Sequence, residues 1–126
     1  QIVNISALSG LTNLAYLALG SNQIGNISAL SDLANLAELD LSHNQIVGIS
    51  ALSGLTKLTV LYLNNNKIHD IAPLVNNAGI DSGDAVDLVH NQLHFESGSP
   101  SMLDIEALRQ RRVGVTYLPQ DCATCD

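Results

Sequence analysis

Several things are scarce in this chain, and each scarcity excludes a class of function. It has 126 residues, no tryptophan, one phenylalanine and three tyrosines, so its apolar material is almost wholly aliphatic. Five cations face 12 carboxylates, for a net charge of −7. That balance excludes nucleic-acid binding, where Lys and Arg must neutralise phosphate. It equally excludes a basic helix lying on a membrane surface. No apolar run approaches the ~20 residues of a membrane-spanning helix, so membrane insertion is not expected. No basic segment followed by an apolar run opens the chain, and no signal peptide is visible. The sequence contains no G-x-S-x-G, no H-E-x-x-H and no Gly-rich phosphate loop. Catalytic, cofactor and metal roles are therefore not expected, and a thin repeat array offers no deep pocket for them. What is present is 46% hydrophobic residues, enough for a core and far from a disordered composition.

Charge is unevenly spread. Residues 1–68 carry Lys57 and Lys67 against Asp32, Glu38 and Asp40, a net of −1. Residues 69–126 carry Arg109, Arg111 and Arg112 against nine carboxylates, a net of −6. The halves differ because the first is a regular repeat and the second departs from it.

The repeat has a period of 22. Ile5, Ile27, Ile49 and Ile71 keep it, as do Leu8, Leu30, Leu52 and Leu74. The series Leu11, Leu33, Leu55 and Leu14, Leu36, Leu58 follow, then Leu17, Leu39, Leu61 and Leu19, Leu41, Leu63. Asn22, Asn44, Asn66 and Ile24, Ile46, Ile68 complete each unit. In the fourth unit Asn77 replaces the expected Leu, and Val86, Leu88, Asn91 and Leu93 resume the pattern shifted by three. The loop from Asn77 to Asp84 thus holds a three-residue insertion. Ile2 stands 22 residues before Ile24, so the first residues already belong to a repeat.

Each unit reads L-x-x-L-x-L-x-x-N-x-I, as in Leu14-Ala-Tyr-Leu17-Ala-Leu19-Gly-Ser-Asn22-Gln-Ile24. This is the leucine-rich-repeat pattern. The L-x-L alternation makes a short strand with its leucines inward, and stacked units build a parallel sheet. The Asn is expected to cap backbone groups at the turn after the strand, stacking into a ladder that satisfies otherwise buried polar groups. The return segment, for example Ile27-Ser-Ala-Leu30-Ser-Asp-Leu33, is apolar at every third position, which suits 3₁₀ turns. The units resemble the 22-residue repeats of the bacterial internalin-like leucine-rich-repeat family, through I-S-A-L-S-x-L-x-x-L-x-x-L-x-L-x-x-N-x-I over about residues 1–94. The resemblance implies an α/β repeat solenoid. It would be a right-handed horseshoe with short parallel strands, 3₁₀ turns on the convex side and a C-terminal helix-strand cap. It also implies a secreted or cell-surface protein.

Residues 95–120 leave the repeat. Ser101-Met-Leu-Asp104 reads as a capping box after Pro100, opening a helix with Met102, Ile105 and Leu108 on one face. Arg109, Arg111 and Arg112 are expected in its last turn, with Gly114 as terminator and Val113, Val115 and Tyr117 as a short edge strand. The chain therefore divides into repeats 1–94, a cap 95–120 and a tail 121–126. The opposite end shows no cap, so the expectation is a piece of a longer array or self-association through that end. In the tail, Cys122 and Cys125 form one C-x-x-C, half the ligands of a structural zinc site. A linker or a local disulfide fits better than a metal.

The candidate binding surface is the strand face between the inward leucines. Its columns are Tyr16, Glu38, Val60, Ala85; then Ala18, Asp40, Tyr62, Asp87; then Gly20, Ser42, Asn64, Val89; then Ser21, His43, Asn65, His90. Two of the three tyrosines stand there, and tyrosine is enriched at interface hot spots, although it also suits any strand surface. Asp40 and Asp87 fall two strands apart, too far to share a calcium ion. Asp81, Asp84 and Asp87 lack the D-x-D-x-D-G spacing of a calcium loop and suit turn hydrogen bonds instead. Asn4-Ile-Ser6 and Asn26-Ile-Ser28 match the N-x-S glycosylation pattern, but both follow from the repeat template. The expected function is an interaction module that binds an unidentified protein partner through the concave face. The alternatives are a structural spacer in a larger bacterial surface protein and a metal-responsive module.

Overall fold

Through the first three strands the chain returns every 22 residues to the same side of the molecule and adds a strand beside the last, and it does so twice more after longer excursions. The structure, a computed structural model, describes residues 1–121. Cys122 and Cys125 lie outside the described residues. Strands β1 (Tyr16–Ala18), β2 (Glu38–Asp40), β3 (Val60–Tyr62), β4 (Ala85–Asp87) and β5 (Gly114–Thr116) form one sheet in chain order. All neighbours are parallel. Leu17, Leu39, Leu61, Val86 and Val115 align across the five strands. The three-residue insertion is absorbed before β4 and leaves the register of β3 and β4 intact. The strands are three residues each, about 10 Å long and shorter than the usual strand.

Behind the sheet the chain returns through 3₁₀ turns at Ser6–Leu8, Ser28–Leu30 and Ser50–Leu52. The fourth unit instead makes a single α-helical turn, α1 (Ala72–Val75), with Pro73 in its first turn, where a missing N–H costs nothing. The side chains of Asn4, Asn26 and Asp70 each accept the backbone N–H two residues on, at 2.8–2.9 Å, and so fix the entry to the turn. Gly48 holds the equivalent place in the third unit and has no side chain to do so. The two N-x-S asparagines thus have a structural task in the repeat.

The core is the stack of repeated Leu and Ile layers. Leu30, Leu33, Leu36, Leu41, Leu52 and Leu55 are fully buried. The first unit is less covered: Leu11 is 47% exposed where its equivalents Leu33 and Leu55 are at 0%. In the fourth unit Asn77 occupies the leucine place and is itself fully buried. Its Nδ2 donates to the carbonyls of Leu52 at 2.8 Å and Leu55 at 3.0 Å, and its Oδ1 accepts from Gly79 N–H. Gly79 is pressed so closely on the previous unit that a Cβ there would stand 2.0 Å from the Thr56 carbonyl oxygen.

After the repeats comes helix α2 (Pro100–Gln110), which buries Ile105 and Leu108 in the same core. Its start is two residues earlier than the capping-box reading placed it. Ser99 is the cap and accepts Met102 N–H at 3.3 Å, with Pro100 as the first helical residue, so Ser101 already lies inside the helix. Its end differs too. Only Arg109 lies in the last turn; Arg111 is the C-cap and Arg112 adopts φ 65°. The left-handed step that ends the helix is thus taken by Arg112, and Gly114 belongs to β5. Arg111 reaches away from its own helix to the carbonyls of Val75 at 2.6 Å, Asn77 at 3.3 Å and Ile80 at 3.5 Å. One guanidinium fork thereby ties α2 to the end of α1 and the inserted loop.

Candidate functional site

The repeat asparagines set the geometry of the sheet's outer face, because they fix where each strand ends. Each accepts, through Oδ1, the backbone N–H of the repeat isoleucine in the previous unit, which stands two residues past that unit's asparagine position. Ile2, Ile24, Ile46 and Ile68 donate in this way to Asn22, Asn44, Asn66 and Asn91 at 2.9–3.0 Å. The Nδ2 groups donate backwards as well. Asn44 reaches the Leu19 and Leu41 carbonyls, Asn66 those of Leu41 and Leu63, and Asn91 those of Leu63 and Leu88, all at 2.9–3.1 Å. The ladder expected from the sequence is present, and Gln120 adds a rung that the period could not reveal. Gln120 Oε1 accepts Leu93 N–H at 3.0 Å and Nε2 donates to the Leu88 and Tyr117 carbonyls, which repeats the asparagine pattern.

Past each of the strands β1 to β4 the chain turns through a left-handed residue. Ser21, His43, Asn65 and His90 have φ of 60°, 55°, 60° and 55°. This is where the structure departs from the expected face. The column Ser21, His43, Asn65, His90 forms a row of turns beyond the strand ends, and Gly20, Ser42, Asn64 and Val89 join it to the sheet. His90 Nδ1 lies 2.8 Å from Asp121 Oδ1 at the margin of this row.

The strand columns themselves are in register as expected. Tyr16, Glu38, Val60 and Ala85 align, and Gly114 of β5 extends the row. Ala18, Asp40, Tyr62 and Asp87 align, extended by Thr116. Tyr16 is 64% exposed and Tyr62 46%. Ala18, Glu38 and Ala85 are exposed, while Val60, Asp40 and Asp87 are half-buried between their neighbours.

Two of the carboxylates are held in place. Asp40 Oδ1 accepts from the Ser42 N–H at 2.9 Å and the Ser42 hydroxyl at 2.6 Å. Asp87 Oδ1 accepts from Val89 N–H at 3.1 Å. Asp40 leans over Gly20, where a Cβ would meet its oxygens at 3.2 Å and Ser42 Oγ at 3.0 Å. A larger residue at position 20 would crowd that carboxylate.

Asp40 and Asp87 are separated by β3, so the strand spacing keeps them about 9–10 Å apart. Among the described residues, no three His, Cys, Asp or Glu side chains come together to hold a metal ion. Asp81 and Asp84 serve their own loop: Asp84 Oδ2 accepts Asp81 N–H at 2.9 Å, beside Gly83 at φ 91°. The titration of Asp104 on α2 is displaced. Burial raises its pKa above the ordinary carboxylate value, and the nearby Asp70 carboxylate adds to the rise. No helix among the described residues is long and apolar enough to cross a membrane.

Two family models match the chain: one described as a leucine rich repeat over residues 2–46, and one described as leucine rich repeats in two copies over residues 34–76. No curated protein matches it. Among solved structures, it is similar to the internalin inlF of Listeria monocytogenes, with a TM-score of 0.78 and 28% identity over 98% of this chain. It is similar to internalin C2 of the same species, with a TM-score of 0.67 and 31% identity over 91% of this chain. A leucine-rich-repeat protein of Leptospira interrogans shares the fold, with a TM-score of 0.74 and 23% identity over 94% of this chain and 29% of its own. The chain spans 39% and 50% of the two internalin chains.

Proposed function

The chain belongs to the leucine-rich-repeat family, with repeats of the internalin type, and from that premise we propose that it is a non-enzymatic module that binds a protein through the concave face of its sheet. The observation that carries the reading is the pair Tyr16 and Tyr62, 64% and 46% exposed on the outer face, beside inward neighbours Leu17, which is half-buried, and Leu61, which is fully buried. Such exposed rings add little to the buried core of a solenoid, and exposed tyrosines serve interfaces well. The contacting residues in this reading are Tyr16, Ala18, Glu38, Asp40, Val60, Tyr62 and Asp87 on the strands. Ser42, His43, Asn64, Asn65, Val89 and His90 add the turns at one margin. Those turns matter for size. Five strands of about 10 Å at about 4.8 Å spacing cover only some 200 Å², against about 800 Å² per partner in a standard interface. Residues 1–94 act as the binding array in this reading, 95–120 as the unit that closes it and 121–126 as a tail. A secreted or cell-surface setting accompanies the family.

The test is capture from extracts and culture medium of the source organism and its surroundings. The intact protein is compared with a variant in which Tyr16, Asp40, His43 and Tyr62 are replaced by Ala, and with a convex-side control, Ser31→Ala with Ser53→Ala. A protein retained by the intact chain and by the control, but released by the concave variant, is the expected result. Retention that survives the concave substitutions sinks the reading and leaves the spacer alternative.

A further inference from the structure

The chemistry of the concave face narrows what it can receive. Every carboxylate on the strand columns stands beside a tyrosine: Glu38 is in register with Tyr16, and Asp40 and Asp87 flank Tyr62 on either side. Among the described residues no lysine or arginine stands on the strand columns. Lys57 is turned to the flank, where its Nζ donates to Asn35 Oδ1 at 2.8 Å. Arg111 is committed to the carbonyls of Val75, Asn77 and Ile80. Lys67, Arg109 and Arg112 also lie off the strands. The strand columns therefore present three carboxylates and two exposed aromatic rings, with no lysine or arginine among them.

We propose that the concave face takes a protein segment bearing lysine or arginine, with one such cation lying over the Tyr62 ring between Asp40 and Asp87. This rests on the concave face being the binding surface. The charge of the face demands the opposite sign in its partner, and the tyrosines favour an organic cation over a bare ion. A metal ion needs several oxygens within about 2.6 Å, and these two carboxylates stand on either side of a strand. A guanidinium or ammonium on a flexible stem meets both conditions: it lies against the negative face of a ring and is attracted by carboxylates some ångströms to each side. Asp40 and Asp87 are suited to this, since one oxygen of each is fixed by Ser42 or Val89 while, among the described residues, the other accepts no protein hydrogen bond.

The probe is a pair of short capped peptides, Gly-Arg-Gly-Gly-Arg-Gly and Gly-Glu-Gly-Gly-Glu-Gly, titrated into the isotopically labelled protein while its amide resonances are followed. The arginine peptide is expected to move the resonances of β2, β3 and β4 around Tyr62. Its affinity should fall about three- to tenfold in Asp40→Asn with Asp87→Asn, or in Tyr62→Ala, and weaken with salt. The variant Asp81→Asn with Asp84→Asn removes the same charge elsewhere and should leave the binding unchanged. Equal loss in that control would reduce the effect to net charge and overturn the proposal, as would equal response to the glutamate peptide. Calcium chloride that moves the same resonances and displaces the arginine peptide at matched ionic strength would also overturn it, in favour of an inorganic cation. The two readings fail separately. If the concave variant still releases its captured protein while the arginine peptide finds no site at Tyr62, only the cationic partner falls; if capture ignores the concave substitutions, the face itself does.

Discussion

A primary amide can replace a peptide unit from both sides, accepting and donating at once, and Asn66 uses that capacity fully. Its Oδ1 takes Ile46 N–H and its Nδ2 serves the Leu41 and Leu63 carbonyls, all within 3.1 Å. Asn66→Ala strands those groups in a place closed to water. At about 1–3 kcal/mol for each buried unsatisfied group, the expected loss is about 4 kcal/mol in urea unfolding. A loss below about 1 kcal/mol would mean that the ladder is ornamental. Asp104 behaves in the opposite sense. Its pKa is raised in the folded chain, so the folded state holds its proton more tightly than the unfolded state does. The ionised carboxylate therefore costs stability at neutral pH, and the cost vanishes as pH falls below the ordinary carboxylate range. Asp104→Asn should be the more stable protein at pH 7, with the difference shrinking on acidification; a difference that grows instead would contradict the assignment. Single residues also mark where the sequence was legible. Asn22, Asn44, Asn66 and Asn91 announced the ladder by their period. Gln120 did the same work invisibly, because a longer side chain reaching from outside the repeat has no partner at a fixed spacing.

Among the elements, the 3₁₀ turns were legible from the apolar third positions, since that spacing follows directly from three residues per turn. The ends of α2 were not. Ser99 and Ser101 both satisfy the composition of a cap, and only the path of the chain into Pro100 selects Ser99. The spacing puts Arg111 in the last turn of its own helix, yet it serves the carbonyls of Val75 at the end of α1 and of Asn77 and Ile80 in the inserted loop, contacts over 30 residues away in sequence that no local rule encodes. The concave columns, by contrast, followed from the 22-residue register; the strands end before the last two of them, where the left-handed turns begin. The entry to the third 3₁₀ turn offers a direct test. Asn4, Asn26 and Asp70 cap their turns, whereas Gly48 leaves Ser50 N–H without that partner. A Cβ at Gly48 meets nothing within 4 Å. Gly48→Asn should therefore stabilise the protein by about 0.5–1 kcal/mol, through the cap and through a stiffer unfolded chain. An unchanged or lowered urea midpoint would show that the side-chain cap adds nothing there.

At the scale of the whole molecule, stability is a sum over units and the interfaces between them. Equivalent leucines are consequently unequal in worth. Leu55 is fully buried between neighbouring units, whereas Leu11 is 47% exposed in the first. Leu55→Ala should cost about 3–4 kcal/mol and Leu11→Ala about 1 kcal/mol, read from urea unfolding of the two variants. Similar losses would mean that the first unit is as firmly packed as the third. Amide exchange should run in the same order, fastest in the first unit and slowest around β3. The ladder carries a last consequence, for how such a chain can change over generations. Asn44 and Asn66 make the same bonds at both ends of one 22-residue unit, while Gln120 adds a rung after Asn91 by itself. Duplication or deletion of a whole unit between them therefore rejoins matching donors and acceptors, so the array can gain or lose length in unit steps without any change to the residues on either side.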